Sequence, residues 1–210
     1  MHPSDCQWWE YKDHLNAHLV GTRCIALLTD LRRGRISLTS YKDTRPHHRF
    51  IFSATVPIDC DYFAGHYRGE KYRCLEFLKV KIDGDTRVGV DPERVAFDIS
   101  NFVTNILTSG VSALDTAFAL PNSRLSPEEK LNYLVVFCCR VLVEFLRIHP
   151  YANGNGHMGR LLVWLLLARY DYWPKRWPLD QSPPYSKLIF DYRNGDTDGL
   201  ELFVFRCIIG

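Results

Sequence analysis

The segment from Leu131 to Ile148 restricts the fold more than any other part of the chain, because its only charged residues are Arg140, Glu144 and Arg147. A helix so evenly apolar has to be covered on most sides by other elements. With 210 residues the chain is long enough to supply that cover, and its 46% apolar and 24% charged residues are those of a globular protein. A second apolar run, Leu161 to Tyr170, follows after a short loop and is expected to form another buried helix. Its core, Leu161 to Ala168, falls far short of the roughly 20 residues that cross a bilayer.

The remaining segments read as mainly helical. Leu15, Leu19, Ile25, Leu27 and Leu28 predict a helix over His14 to Asp30, closed by the basic turn Arg32-Arg33-Gly34-Arg35. That turn is read as a solvated helix end, with phosphate contact as the rarer alternative. Thr44 to Pro57 reads as a connector, and the glycines of Phe63 to Gly69 argue against a helix interior. Leu75, Phe77, Val80 and Ile82 alternate roughly, and Asp83-Gly84-Asp85 offers a turn into Thr86 to Val90, so a β-hairpin is expected on the helical body. Asp91-Pro92-Glu93 and Ser126-Pro127-Glu128-Glu129 have the form of helix starts. Trp173-Pro174 and Trp177-Pro178 end the second buried helix. Asn194 to Gly199 superficially suggests a calcium loop, but Phe205 stands where its last ligand, a glutamate, is required. The expected fold class is all-α with a small β-hairpin, with residues 1–44 a helical segment packed on a main unit of residues 45–210.

A net charge of +2 without a broad basic footprint gives no reason to expect nucleic acid as a partner. The seven cysteines, an odd number, show neither metal-ligand spacing nor a disulfide framework, which suggests a reducing compartment. The start of the chain has no signal-peptide pattern. A cytoplasmic protein is expected, with delivery into a host cell left open.

Between the two apolar runs lies His149-Pro150-Tyr151-Ala152-Asn153-Gly154-Asn155-Gly156-His157-Met158-Gly159-Arg160. Gly154 and Gly156 let a ligand approach the backbone, and a helix starting there would aim free N–H groups at an anion. Arg160, one turn further on, could add a fork of donors, and His149 at the exit of the preceding helix could act as a base near pH 7. A base, an anion nest and a cation are the parts that phosphoryl-type transfer needs. The same residues also suit a plain helix-loop-helix turn, with His149 bonded to a carbonyl and Arg160 to a carboxylate, and spacing alone does not decide between the two.

This stretch resembles the signature of the Fic domain family, His-Pro-Phe-x-(Asp/Glu)-Gly-Asn-Gly-Arg-x-x-Arg. Phe63-Ala64-Gly65-His66-Tyr67-Arg68 is similar to the family segment that precedes its flap, and the expected hairpin lies where that flap would be. The resemblance covers about residues 45 to 208. It implies a protein adenylyltransferase moving AMP from ATP onto a Ser, Thr or Tyr hydroxyl of a target protein, as in a toxin or effector. His149 would be the general base. Gly154, Asn155 and Gly156 would surround the α-phosphate, with Asn153, His157 and Arg160 completing the nucleotide site. The target would add as a strand along Leu75, Phe77, Val80 and Ile82. Glycine at 156, where the Doc branch has lysine, leans toward nucleotidyl transfer.

Two departures bear on activity. Asn153 stands where the family has the Asp or Glu that holds Mg²⁺ (or Mn²⁺), and a neutral amide oxygen is a weaker ligand for a hard cation. His157 replaces an arginine, trading five fixed donors for one unless the ring is protonated. No family inhibitory helix motif is visible, so a separate inhibitory protein is the regulator the resemblance suggests. Alternatives are transfer of another nucleotide or phosphate-containing group, or a degenerate domain that only binds protein.

Overall fold

The computed structural model describes residues 9–80 and 85–210, and over these it is all-α. Helix α1 spans His18–Arg32, α2 Arg45–Phe52 and α3 Pro92–Asn101. A π-helical stretch, Phe102–Thr108, carries α3 without a break into α4, Ser109–Ala119. Helix α5 is Pro127–Ile148, α6 Asn155–Arg169, α7 Ser186–Arg193 and α8 Asp198–Ile209.

The two apolar runs form the centre. Helices α5 and α6 pack against each other, with α4, α7 and α8 against α5 and α1 against α6. Every residue of α6 from His157 to Ala168 is buried, which follows from a sequence apolar all round. Helix α5 starts with a full capping box: Ser126 Oγ accepts from the Glu129 amide, and the Glu129 carboxylate accepts from the Ser126 amide. Gly110 lets α4 approach α5, since a Cβ there would lie 2.0 Å from the Phe137 ring.

Three expectations need correction. The stretch read as a connector contains α2, which has Pro46 in its first turn and buries His48, Ile51 and Phe52 on one face. Helix α1 starts at His18 and not at His14, leaving Leu15 outside it and 94% exposed; its buried stripe is Val20, Cys24, Leu27 and Leu31, whereas Ile25 is 61% exposed. The expected face is thus met at Leu27 but not at Ile25.

The third concerns the β-hairpin, since no strand forms among the described residues. Leu75 and Val80 are buried while Phe77 is 66% exposed; Ile82 lies outside the described residues. Arg68 supplies the physical reason. Its guanidinium donates to the carbonyls of Leu78 (3.0 Å), Val90 (3.1 Å), Ile148 (3.1 Å) and His149 (2.8 Å). Glu76 N donates to Tyr72 O, Leu78 N to Leu75 O, and Gly89 N to Arg147 O. The groups a hairpin ladder would pair are taken by turns, by Arg68 and by the end of α5.

Burial lowers the Arg68 pKa to about 10, which leaves it charged at neutral pH, at the carbonyl end of α5 where a cation is favoured. Replacing Arg68 with Met is expected to cost about 3 kcal/mol, because several enclosed carbonyls lose their donor together. Arg68→Lys should recover only part of that. Urea denaturation midpoints test this, and a Lys variant as stable as wild type would show that the fork is not what holds the segment.

Candidate active site

Helix α5 ends at His149, whose backbone is left-handed (φ 54°). A non-glycine residue is uncommon in this conformation, and Pro150 prevents the helix from continuing. His149 is half-buried, and protein packs around most of its imidazole. Its Nδ1 lies 3.3 Å from Leu146 O, a contact that needs a proton on Nδ1 and leaves Nε2 as an acceptor. Burial first, then the Arg68 charge, lowers its pKa to about 4, so the ring is neutral at physiological pH.

The loop that follows is held rigidly. Asn155 Oδ1 accepts from Tyr151 N, and Asn155 Nδ2 donates to Tyr151 O, both at 2.9 Å. The Tyr151 ring stacks on His48 (centroids 3.9 Å apart), and its hydroxyl meets Thr44 Oγ1 at 2.7 Å. His48 accepts from Gly65 N at Nδ1, so it is Nε2–H that donates to Asn153 O at 2.9 Å. Gly154, with φ 77°, turns the chain into α6, and a Cβ there would strike the Phe52 ring at 2.4 Å. The first bond of α6 runs from Met158 N to Gly154 O. Among the described residues the amides of Asn155, Gly156 and His157 have no protein acceptor, which makes the start of α6 suited to an anion.

Other candidate residues are placed differently from expectation. Asn153 Oδ1 accepts from Gly154 N at 2.6 Å and its Nδ2 donates to Trp9 O at 3.0 Å, so the amide is spent within the protein. Its neutral oxygen, already accepting one bond, is a weak ligand for a hard cation, and among the described residues no cluster of three His, Cys, Asp or Glu could hold a metal ion. His157 is buried beneath the rings of Tyr11 and Phe52, and burial, then the Arg160 charge, pushes its pKa down to about 3. It is a neutral ring, and its Nε2 has no partner. Arg160 is 1% exposed, with Nη1 donating to Tyr185 Oη at 3.1 Å and Nη2 to Leu179 O at 3.0 Å. Its Nε is unpartnered, and no carboxylate of the described residues lies within ion-pair distance.

A sequence profile described as the Fic/DOC family matches residues 48–167, more than half of the chain. The chain belongs to the Fic/DOC family. A comparison with curated proteins finds no significant match. Fic/DOC membership generally goes with nucleotide transfer, and the matched region runs from His48 through nearly all of α6.

Sequence reasoning missed His48 and Thr44, which brace the loop together with Trp9, and gave Arg68 no role. None has a local signal, since each works across tens of residues. Trp9 is buried, stacked on Phe63, with its indole N–H on Thr55 O. Among the described residues no helix is long and apolar enough to cross a membrane. Among the described residues Cys24, Cys60, Cys138, Cys139 and Cys207 are free, and Cys74 is disulfide-bonded.

His48, His149 and His157 are all held neutral, with pKa values of about 3, 4 and 3, burial being the leading cause in each. An unfolded chain protonates these rings near pH 6.5. Below that pH it binds more protons than the fold, so stability is fully present above about 6.5 and is lost as pH falls toward the folded values. Melting temperature should be level from pH 8 to 7 and decline steadily below 6.5; a level profile down to pH 5 would contradict the neutral imidazoles.

Proposed function

We propose that this protein transfers AMP from ATP to a Ser, Thr or Tyr hydroxyl of a target protein. The carrying observation is that His149 commits Nδ1 to Leu146 O, leaving Nε2 as the proton acceptor one short loop before the open amides of α6. In the proposed step Nε2 takes the hydroxyl proton while the target oxygen attacks the α-phosphorus. The bond from that phosphorus to the β-phosphate oxygen breaks, and pyrophosphate leaves. The amides of Asn155 and Gly156 would stabilise the negative charge on the α-phosphate oxygens.

Arg160 supports an anion nearby, because a buried guanidinium without a carboxylate is costly unless something else compensates it. ATP phosphates would do so once Tyr11, which covers His157, is displaced. Magnesium or manganese accompanies the family's reaction, but the Asn153 oxygen is neutral and already accepts from Gly154 N, and no step is assigned to a metal. We read residues 45–210 as the family unit with residues 1–44 packed on it. A cytoplasmic setting is supported by the five free thiols and opposed by Cys74. A separate inhibitory protein belongs to the same proposal.

A second reading, a degenerate domain that binds protein without catalysis, is favoured by the inward placement of Asn153, His157 and Arg160. Incubation with ATP labelled at the α or the γ position, in a lysate containing targets, separates the readings. Protein labelled only from the α position supports AMP transfer; label from γ indicates phosphoryl transfer instead. No label from either, or from other nucleotides, supports the binding domain. His149→Ala should abolish labelling while ATP binding persists. The acid limb of the pH–rate profile should lie well below 6.5, following the lowered His149 pKa.

A further inference from the structure

A cleft of about 490 Å³ opens where α5, α7, the π-helical stretch and the segment around Arg87 meet. Four arginines line it: Arg87, Arg140, Arg147 and Arg193. Two of them are fixed by Asp85, which is 7% exposed and accepts from Arg87 Nε at 2.8 Å and Arg193 Nη1 at 3.0 Å. Arg87 is also bonded to Asn194 Oδ1 at 3.0 Å. Arg147 makes a two-bond pair with Glu144, the acidic residue of the lining. Arg140 is exposed and has no hydrogen bond or ion pair among the described residues. Four guanidinium groups therefore line the cleft beside one carboxylate, Glu144, with Asp85 behind two of them and Asp98 acting on Arg147, and the Nε of Arg193 is buried without a partner. Ile106, Val143 and Tyr192 add apolar wall between the charges.

We infer that this cleft binds an acidic segment of the protein whose hydroxyl is modified, taking its Asp or Glu carboxylates on the arginine forks near the end of α5. The inference rests on the proposed transfer reaction. Arg147 lies two residues before His149 at the end of α5, so an occupant would sit at the helix end that carries the base, although His149 is not part of the cleft wall. Planar guanidinium groups match carboxylates in paired geometry, and the surplus positive charge would draw an acidic chain in. The apolar wall suits the methylenes and neighbouring side chains of a peptide. A nucleic acid would call for a broader basic footprint than this cleft, in a chain of net charge +2, provides.

The test measures binding apart from catalysis. Fluorescein-labelled hexaglutamate is titrated with wild type, Arg140→Glu, Arg124→Glu and His149→Ala, using fluorescence anisotropy. Arg124 is exposed and precedes the start of α5, about 20 Å of helix away from Arg140, so its variant controls for overall charge. Wild type and His149→Ala should bind alike, Arg140→Glu should weaken binding about fivefold or more, and Arg124→Glu should leave it nearly unchanged. Equal weakening by both charge reversals, or failure of wild type to bind hexaglutamate, would overturn the inference. Binding of a hexameric RNA in place of hexaglutamate would overturn it too. Hexaglutamate binding that depends on Arg140, in a protein that transfers no label, would uphold the cleft while removing the enzyme reading.

Discussion

The fold turns on the placement of one positive charge inside the protein. Arg68 reaches the last carbonyls of α5 and, with the same planar group, the carbonyls of Leu78 and Val90. Its own amide donates to Pro150 O at 2.8 Å. A single side chain thus caps the central helix, anchors the irregular stretch beside it and fixes the start of the loop that carries the candidate base. Lysine has the charge but not the five directed donors, so geometry decides as much as electrostatics.

That arrangement explains which parts of the fold the sequence discloses. Helix α5 is readable from its Ser126 to Glu129 cap and apolar length, and α6 from an apolar run ended by Trp-Pro pairs, because those signals are local. The segment after Cys74 misleads because its rough alternation is a local pattern, overruled by donors from Arg68 and the turns. Helix α2 hides because its buried face includes a histidine, whose worth appears only when Asn153 O and Gly65 N are brought to it.

The candidate site divides in the same way. The order of residues in the loop suffices to place a base at the end of one helix and open amides at the start of the next, since both follow from backbone geometry. It does not disclose that Arg160 turns into the core, that His157 lies under two rings, or that Asn153 spends its amide on Trp9. The last two depend on Trp9 and Tyr11, more than a hundred positions away in the chain, and the first on Leu179 and Tyr185.

The contact between Trp9 and Asn153 has a thermodynamic corollary. If phosphates and the Tyr11 ring compete for the space over the first turn of α6, then loosening residues 9–13 and filling that space are two faces of one equilibrium, and each must favour the other by the same factor. Whatever grips the start of the chain, be it a fusion partner, an antibody or a neighbouring molecule, would set nucleotide affinity from outside the pocket.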